Sequence, residues 1–148
     1  MRTERILKHV ELMAIAQVIS ERSTCRRRAV GCVLVDKHFN IIATGRNGNP
    51  RGQAHCIDSP CEGAYFTSGT RLDDCDAVHA EMNALLQCAD VERIYLAVCT
   101  TAPCSICTGM LLNTSCEEIL YLEDYPHVNA KEKWERAGRI WTKYKNEL

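Results

Sequence analysis

The sequence predicts a three-layer α/β domain, a mixed five-stranded sheet with helices on both faces, and three observations carry that prediction. A length of 148 residues suits a single domain, 1–148, with one hydrophobic core. Short apolar, β-branched runs alternate with segments of helical periodicity. The first two runs are joined by a turn and the later ones are separated by helices, which implies an antiparallel hairpin followed by right-handed crossovers.

Taken in order, residues 4 to 20 place Leu7, Val10, Ala14 and Val18 at helical spacing, with Ile15 and Ile19 widening the stripe. This amphipathic helix is expected to end near Ser23-Thr24. Ala29 to Val35 is apolar and β-branched, Asp36-Lys37-His38-Phe39-Asn40 reads as a turn, and Ile41-Ile42-Ala43-Thr44 completes a hairpin. Gly45 to Asp76 has almost no periodicity. A loop of roughly 30 residues is uncommon in a compact domain unless something functional ties it down, and its part at about 49–76 contains Cys56, Cys61 and Cys75. Val78 to Cys88 reads as a helix with Met82, Leu85 and Leu86 inward, and Ile94 to Val98 as a central strand. Ser105 to Asn113 supplies a helix with Ile106, Met110 and Leu111 inward, and Ile119 to Leu122 another strand. Asn129 to Gly138 is a polar helix and Arg139 to Tyr144 a last strand.

Composition narrows the function. With 18 basic against 19 acidic side chains the chain has no bulk charge with which to hold a polynucleotide, so no nucleic-acid partner is expected. No run of about 18 apolar residues occurs and the N-terminus is charged, which argues against a membrane span and Sec-type export. Ten cysteines without an export signal point to metal ligands, reactive thiolates or small buried hydrophobes in a reducing cytoplasm, rather than to disulfides.

The chemistry concentrates in two segments. His79-Ala80-Glu81 opens one predicted helix and Pro103-Cys104-Ser105-Ile106-Cys107 opens the next. A Cys-x-x-Cys at a helix start brings both sulfurs to one side of the first turn, where free amides and the helix dipole favour thiolates. One imidazole and two thiolates make the protein's share of a catalytic zinc site, leaving a position for water. Zinc lowers the pKa of bound water from about 15.7 toward about 7. Glu81, too close in sequence to His79 for a comfortable fourth ligand, is placed to move the proton as general base and acid. A redox Cys-x-x-Cys would explain neither His79 nor Glu81.

His-x-Glu followed by Pro-Cys-x-x-Cys resembles the signature of zinc nucleobase deaminases. With Val30-Gly31-Cys32, Gly45-Arg46-Asn47-Gly48-Asn49-Pro50 and His79-Ala80-Glu81-Met82-Asn83-Ala84 beside it, the chain resembles the zinc-dependent cytidine deaminase superfamily over about residues 4 to 144. The Gly-Arg-Asn-Gly block and the long loop are more similar to its phage-type deoxycytidylate branch. The resemblance implies the cytidine-deaminase-like α/β/α fold and hydrolytic deamination of dCMP to dUMP, with His79, Cys104 and Cys107 on zinc. It further implies that Asn47 holds the sugar and that Ala80 lies at the substrate. Gly45, Arg46, Asn47 and Gly48 are similar to an effector segment at which dCTP activates and dTTP inhibits, Mg2+ accompanying the triphosphate. A plain glycine turn is the alternative for that block. A homohexamer is implied too.

Cys25, Cys56, Cys61 and Cys75 lie in segments of weak intrinsic structure that a structural zinc could gather, fixing the loop. Relatives match at Cys25 and Cys56 only. Cys61 and Cys75 rest on spacing, with His55 as a substitute. Cys32, Cys88, Cys99 and Cys116 sit in or beside apolar runs and read as packing. For a substrate phosphate, the resemblance places Arg26-Arg27-Arg28 beside the active site and makes one of them, Arg26 first, the candidate donor, a solvated charge run being the alternative. The resemblance implies that Tyr125 stacks on the base, with His127 nearby for phosphate; a loop tyrosine covering the edge of the core is the alternative. His9 and His38 read as surface residues, and Trp134 and Trp141 as packing or subunit contacts. Two rival readings remain at this level: a deaminase of another substrate (dCTP, a nucleoside, a tRNA adenine) and a non-catalytic zinc-stabilised nucleotide-binding protein. Glu81 argues against the second, because a structural metal does not need that carboxylate.

Overall fold

The computed structural model describes residues 1–71, 75–126 and 129–146. Its elements run α1 (Lys8–Ser20), β1 (Gly31–Val35), β2 (Ile41–Arg46), α2 (Ala80–Gln87), β3 (Leu96–Thr101), α3 (Ser105–Leu112), β4 (Glu118–Glu123), α4 (Asn129–Arg136) and β5 (Ile140–Lys143), with single 3-10 turns at Glu62–Tyr65 and Val91–Arg93. The strands form one sheet in the order β2-β1-β3-β4-β5. β1 pairs antiparallel with β2 and β3, while β3, β4 and β5 run parallel, so the expected mixed five-stranded sheet is what forms. No helix among the described residues is long and apolar enough to cross a membrane.

Strand alternation divides the core into two layers. Val33, Val35, Leu96, Val98 and Leu120 face α1, where Leu12, Met13 and Ala16 meet them. Cys32, Leu34, Ala97, Cys99, Ile119 and Tyr121 face the other way, against Ala80 and Ala84 of α2, Leu111 of α3 and Trp134 of α4. Cys32, Cys99 and Cys116 are fully buried as expected of packing thiols, and all ten cysteines are free. Trp134 is buried and donates from Nε1 to the Ile140 carbonyl at 2.8 Å.

The predicted helices exist, but three turn a different face inward. On α1, Ala14 and Val18 face out while Leu12, Met13 and Ala16 are buried. On α2, Leu86 is 79% exposed and the inward residues are Ala80, Glu81 and Ala84. On α3, Ile106 is 65% exposed and Met110 also faces solvent, the inner face being Cys107, Thr108 and Leu111. Backbone proximity sets the first two rotations. A Cβ on Gly31 would lie 2.0 Å from the Ala16 carbonyl oxygen, and one on Gly45 would lie 2.2 Å from the Ala80 carbonyl oxygen. The small residues of each helix therefore face the strand glycines, and the larger apolar side chains are displaced outward. α3 turns Cys107 inward, and adjacent helical residues point about 100° apart, so Ile106 falls outside. His9, expected on the surface without a partner, is half-buried and meets the Tyr144 ring edge-on at 5.7 Å. His38 is exposed as expected.

Candidate active site

The site forms where α2 and α3 begin. An isolated bridge between Gly48 and Val78, with N–H···O distances of 3.1 and 2.8 Å, ties the end of the hairpin to the residue before His79. His79 then takes extended backbone angles (φ -69°, ψ 156°) as the N-cap of α2. β3, buried along its whole length, leads through Ala102 and Pro103 to Cys104, the N-cap of α3. There the Cys104 Sγ accepts a hydrogen bond from the Cys107 amide at 3.4 Å. The two helix starts bring Cys104 Sγ to 3.5 Å and Cys107 Sγ to 3.4 Å from His79 Nδ1. Among the described residues, these three form the group whose potential metal-ligating atoms all lie within 4.8 Å of one another.

Crowding of the three donors separates their protonation states. Hydrogen bonding from Cys107, reinforced by His79 and opposed by burial, brings the Cys104 thiol down to about 4. The same contact with Cys104, together with burial, drives Cys107 well above the ordinary thiol range. His79 is raised, first by its hydrogen bond to Cys104. Glu81, 4% exposed, is raised by burial. A thiol lowered toward its anion, an imidazole shifted toward its charged form and a buried carboxyl shifted toward its neutral form thus share one small volume. Such a set is completed by a cation that accepts sulfur and nitrogen.

This group opens into a cleft of about 560 Å³, a volume that includes space open to solvent. His79, Ala80, Glu81 and Cys104 line it, as do Asn47 and Tyr125, so four of the substrate and catalytic candidates converge with two metal ligands in one place. Asn47 is 8% exposed and already engaged: its Oδ1 accepts from the Ser23 hydroxyl at 2.6 Å and the Val30 amide at 2.9 Å, and its Nδ2 donates to the Arg28 carbonyl at 2.7 Å. Gly45 and Arg46 belong to β2, extending it two residues beyond the expected Thr44, and Arg46 is exposed. Arg26 is exposed, donates to the Ile57 carbonyl at 3.4 Å, and is not among the cleft residues. Arg27 and Arg28 of the arginine triplet line the cleft, as do Ser68, Gly69 and Thr101, which no sequence argument singled out. The arginine triplet was a signal, but spacing alone does not say which member faces inward. His127 and residues 72–74 of the long loop lie outside the described residues.

The other cysteine set is partly gathered. Cys56 Sγ and Cys61 Sγ are 3.8 Å apart, both buried. Burial works to raise Cys61, but hydrogen bonds from the Asp76 amide and from Cys56, Ala64 and Cys75 leave it lowered. Cys75 is raised by burial, with the charges of Cys61 and Cys25 adding to the effect. Cys25 and Cys75 line the cleft itself. His55 is exposed and carries the backbone carbonyl that closes the turn to Asp58 and Ser59.

A family model described as the cytidine and deoxycytidylate deaminase zinc-binding region matches residues 7–123. A deoxycytidylate deaminase of Schizosaccharomyces pombe is 39% identical over 118 residues, which cover 76% of this chain and 36% of the relative. The chain therefore spans little more than a third of that yeast protein. A deoxycytidylate deaminase of Mycobacterium phage D29 is 36% identical over 118 residues, covering 74% of this chain and 89% of the phage protein. Among solved structures, a dCMP deaminase from the cyanophage S-TIM5 in complex with dCMP and dUMP superposes with a TM-score of 0.76 at 25% identity, covering 95% of this chain and all of that one.

Proposed function

Because the chain belongs to the cytidine and deoxycytidylate deaminase zinc-binding family, we propose that it hydrolyses dCMP to dUMP and ammonia. One observation carries the reading: the buried Glu81 lines the same cleft as His79 and Cys104, two members of the His79, Cys104 and Cys107 donor set. The similarity to proteins that are themselves deoxycytidylate deaminases supports dCMP as the substrate.

The donors fit zinc, one imidazole and two sulfurs being the protein's share of a catalytic site. Zinc held by His79, Cys104 and Cys107 would supply a water acidic enough to react near neutral pH. The chain's own residues do the rest. Glu81 takes a proton from the attacking water as its oxygen bonds to C4 of the base, and delivers that proton to the ring nitrogen. It then carries the second proton to the departing amino group, so dCMP and water become dUMP and ammonia. Asn47, its Oδ1 fixed by Ser23 and Val30, keeps one Nδ2 hydrogen for a sugar hydroxyl. Tyr125 provides a ring for the base, and the Ala80 backbone forms the floor beside it.

Finer features belong to the same proposal. Cys25, Cys56, Cys61 and Cys75 hold a second, structural zinc that secures the long loop, a reading supported by the 3.8 Å approach of Cys56 to Cys61. dCTP, with Mg2+, activates and dTTP inhibits at Gly45, Arg46, Asn47 and Gly48. Exposed Arg46 next to cleft-lining Asn47 supports a short link between effector and substrate. The enzyme works as a homohexamer in the cytoplasm.

Ammonia release from dCMP, dCTP, deoxycytidine and cytosine, with and without dCTP and dTTP, tests the reading. Turnover of dCMP by the zinc-loaded protein and its loss in Glu81→Ala are expected. Equal rates in both proteins remove Glu81 from the mechanism, and no release from any cytosine compound overturns the assignment. Metal analysis should find a second zinc that disappears in Cys56→Ser; a single zinc per wild-type chain rejects the loop site.

A further inference from the structure

Directly after α1 the backbone tightens through three successive bonds to the residue three positions back, from the amides of Glu21, Arg22 and Ser23 to the carbonyls of Val18, Ile19 and Ser20, at 3.2, 3.4 and 2.9 Å. They deliver Ser23 into the interior, where it is 8% exposed. Its hydroxyl accepts from the Cys25 amide at 3.2 Å and faces both oxygens of Asn47, Oδ1 at 2.6 Å and the main-chain carbonyl at 2.9 Å. One hydrogen thus has two acceptors on a single residue, and whichever it meets, the hydroxyl holds Asn47. Among the described residues that line the cleft, Asn47 is present and Ser23 is not.

The side-chain amide of Asn47 is almost fully committed. Oδ1 has two lone pairs, and the Ser23 hydroxyl and the Val30 amide approach it at 2.6 and 2.9 Å. Nδ2 gives one of its two hydrogens to the Arg28 carbonyl at 2.7 Å. Toward a ligand, Asn47 is therefore a donor with a single hydrogen, matched by an oxygen that can accept. The backbone decides which end of the amide is which, because a carbonyl can meet only Nδ2 and an amide only Oδ1. Ser23 does something different: it alone of these partners grips the main chain and the side chain of Asn47 together, and so sets the torsion between them.

We infer that Ser23 is a positioning residue for sugar recognition, its buried hydroxyl holding Asn47 as a one-hydrogen donor toward the 3′-hydroxyl of a deoxynucleoside monophosphate. The 3′ position follows from chemistry, since a deoxyribose that carries a base and a 5′-phosphate has no other free hydroxyl. The inference rests on the proposed dCMP reading and on the sugar role given there to Asn47, and adds a residue that acts on the ligand only through that asparagine.

The pair dUMP and 2′,3′-dideoxyuridine 5′-monophosphate, which differ by the 3′-hydroxyl alone, tests this by equilibrium dialysis with the zinc-loaded protein. Wild type should prefer dUMP. In Ser23→Ala the ratio of the two affinities should fall roughly 3- to 10-fold, the contribution of one uncharged hydrogen bond, and the loss should be in dUMP binding. Ser23→Thr, which keeps the hydroxyl, should retain the wild-type ratio. Circular dichroism and thermal melting check that the variants are folded. An unchanged ratio in folded Ser23→Ala, or equal weakening of both ligands as a general packing defect would give, overturns the inference while leaving dCMP deamination intact. Should Ser23→Ala not fold, Ser23→Cys takes its place: its thiol donates weakly, so a reduced ratio is expected and a wild-type ratio overturns the inference. A wild-type protein that binds both ligands alike overturns the sugar role of Asn47 and this inference with it, and one that neither binds dUMP nor deaminates dCMP overturns the underlying reading as well.

Discussion

Replacing Gly45 by alanine probes how the hairpin positions the chemistry. The added Cβ would stand 2.2 Å from the Ala80 carbonyl oxygen and 2.3 Å from the Ala84 amide nitrogen, where ordinary contact begins at 3.4 Å. Both obstacles are backbone atoms of α2, so no side-chain rotation relieves them. Either β2 or α2 must move by about 1 Å, a distance that takes up most of the shortfall between those separations. Overpacking of this kind costs about 1–3 kcal/mol. With a urea dependence of about 2 kcal/mol per molar, the unfolding midpoint should drop by roughly 0.5–1.5 M. The displaced helix carries His79 at its cap and Glu81 in its first turn, and a 1 Å misplacement of reacting groups costs on the order of 100-fold in rate. Urea titration of zinc-loaded protein followed by fluorescence, and initial rates of ammonia release, read the two effects. A Gly45→Ala protein with the wild-type midpoint and rate would refute the argument that this strand–helix contact holds the site, and would return Gly45 to the role of an ordinary turn residue.

Glu81→Gln should lower kcat on dCMP by a factor of about 10²–10⁴ with zinc content unchanged, measured by steady-state kinetics and metal analysis; a rate within a few-fold of wild type excludes Glu81 as the proton carrier. Cys107→Ala should remove the catalytic zinc and abolish turnover, read by metal stoichiometry in parallel with activity, since only His79 and Cys104 of the three donors would remain. Asp36 is held below the usual carboxylate range, first by the Asn40 amide and then by the His38 amide, the Asn40 side chain and Arg93. Its depressed folded-state value makes its contribution to stability full above the unfolded value of about 3.9 and lost as pH falls through the folded one, so Asp36→Asn should flatten the acid limb of the unfolding midpoint below about pH 4. Arg139 donates to the carbonyls of Leu111, Leu112, Thr114 and Cys116 at the end of α3. Arg139→Ala, which strips those donors from a half-buried helix end, should cost about 2–4 kcal/mol in urea unfolding.

Much of the fold was legible because its signals are local. Each of the five strands is a short run rich in apolar or β-branched residues and bounded by turn or helix residues, and all five form within a few residues of the expected limits. Helix rotation was less legible. Periodicity assigns the largest apolar residues inward, whereas Gly31 and Gly45 bring the sheet so close that only Ala16, Ala80 and Ala84 fit at the contact, leaving Val18 and Leu86 in solvent. A sequence reading that weighed strand glycines against helix alanines could have found both rotations.

The same division runs through the site. His79, Glu81, Cys104 and Cys107 declare themselves in the chain because ligands at helix starts need fixed short spacings, and the sulfur, imidazole and carboxylate chemistry follows from residue type alone. That Arg27 and Arg28, and not Arg26, border the cleft was decided only in three dimensions. Their charge and their place in the sequence are almost identical, and what distinguishes them is the carbonyls of a loop some 40 residues away, which occupy Arg27 and leave the Nη1 of Arg28 unmatched.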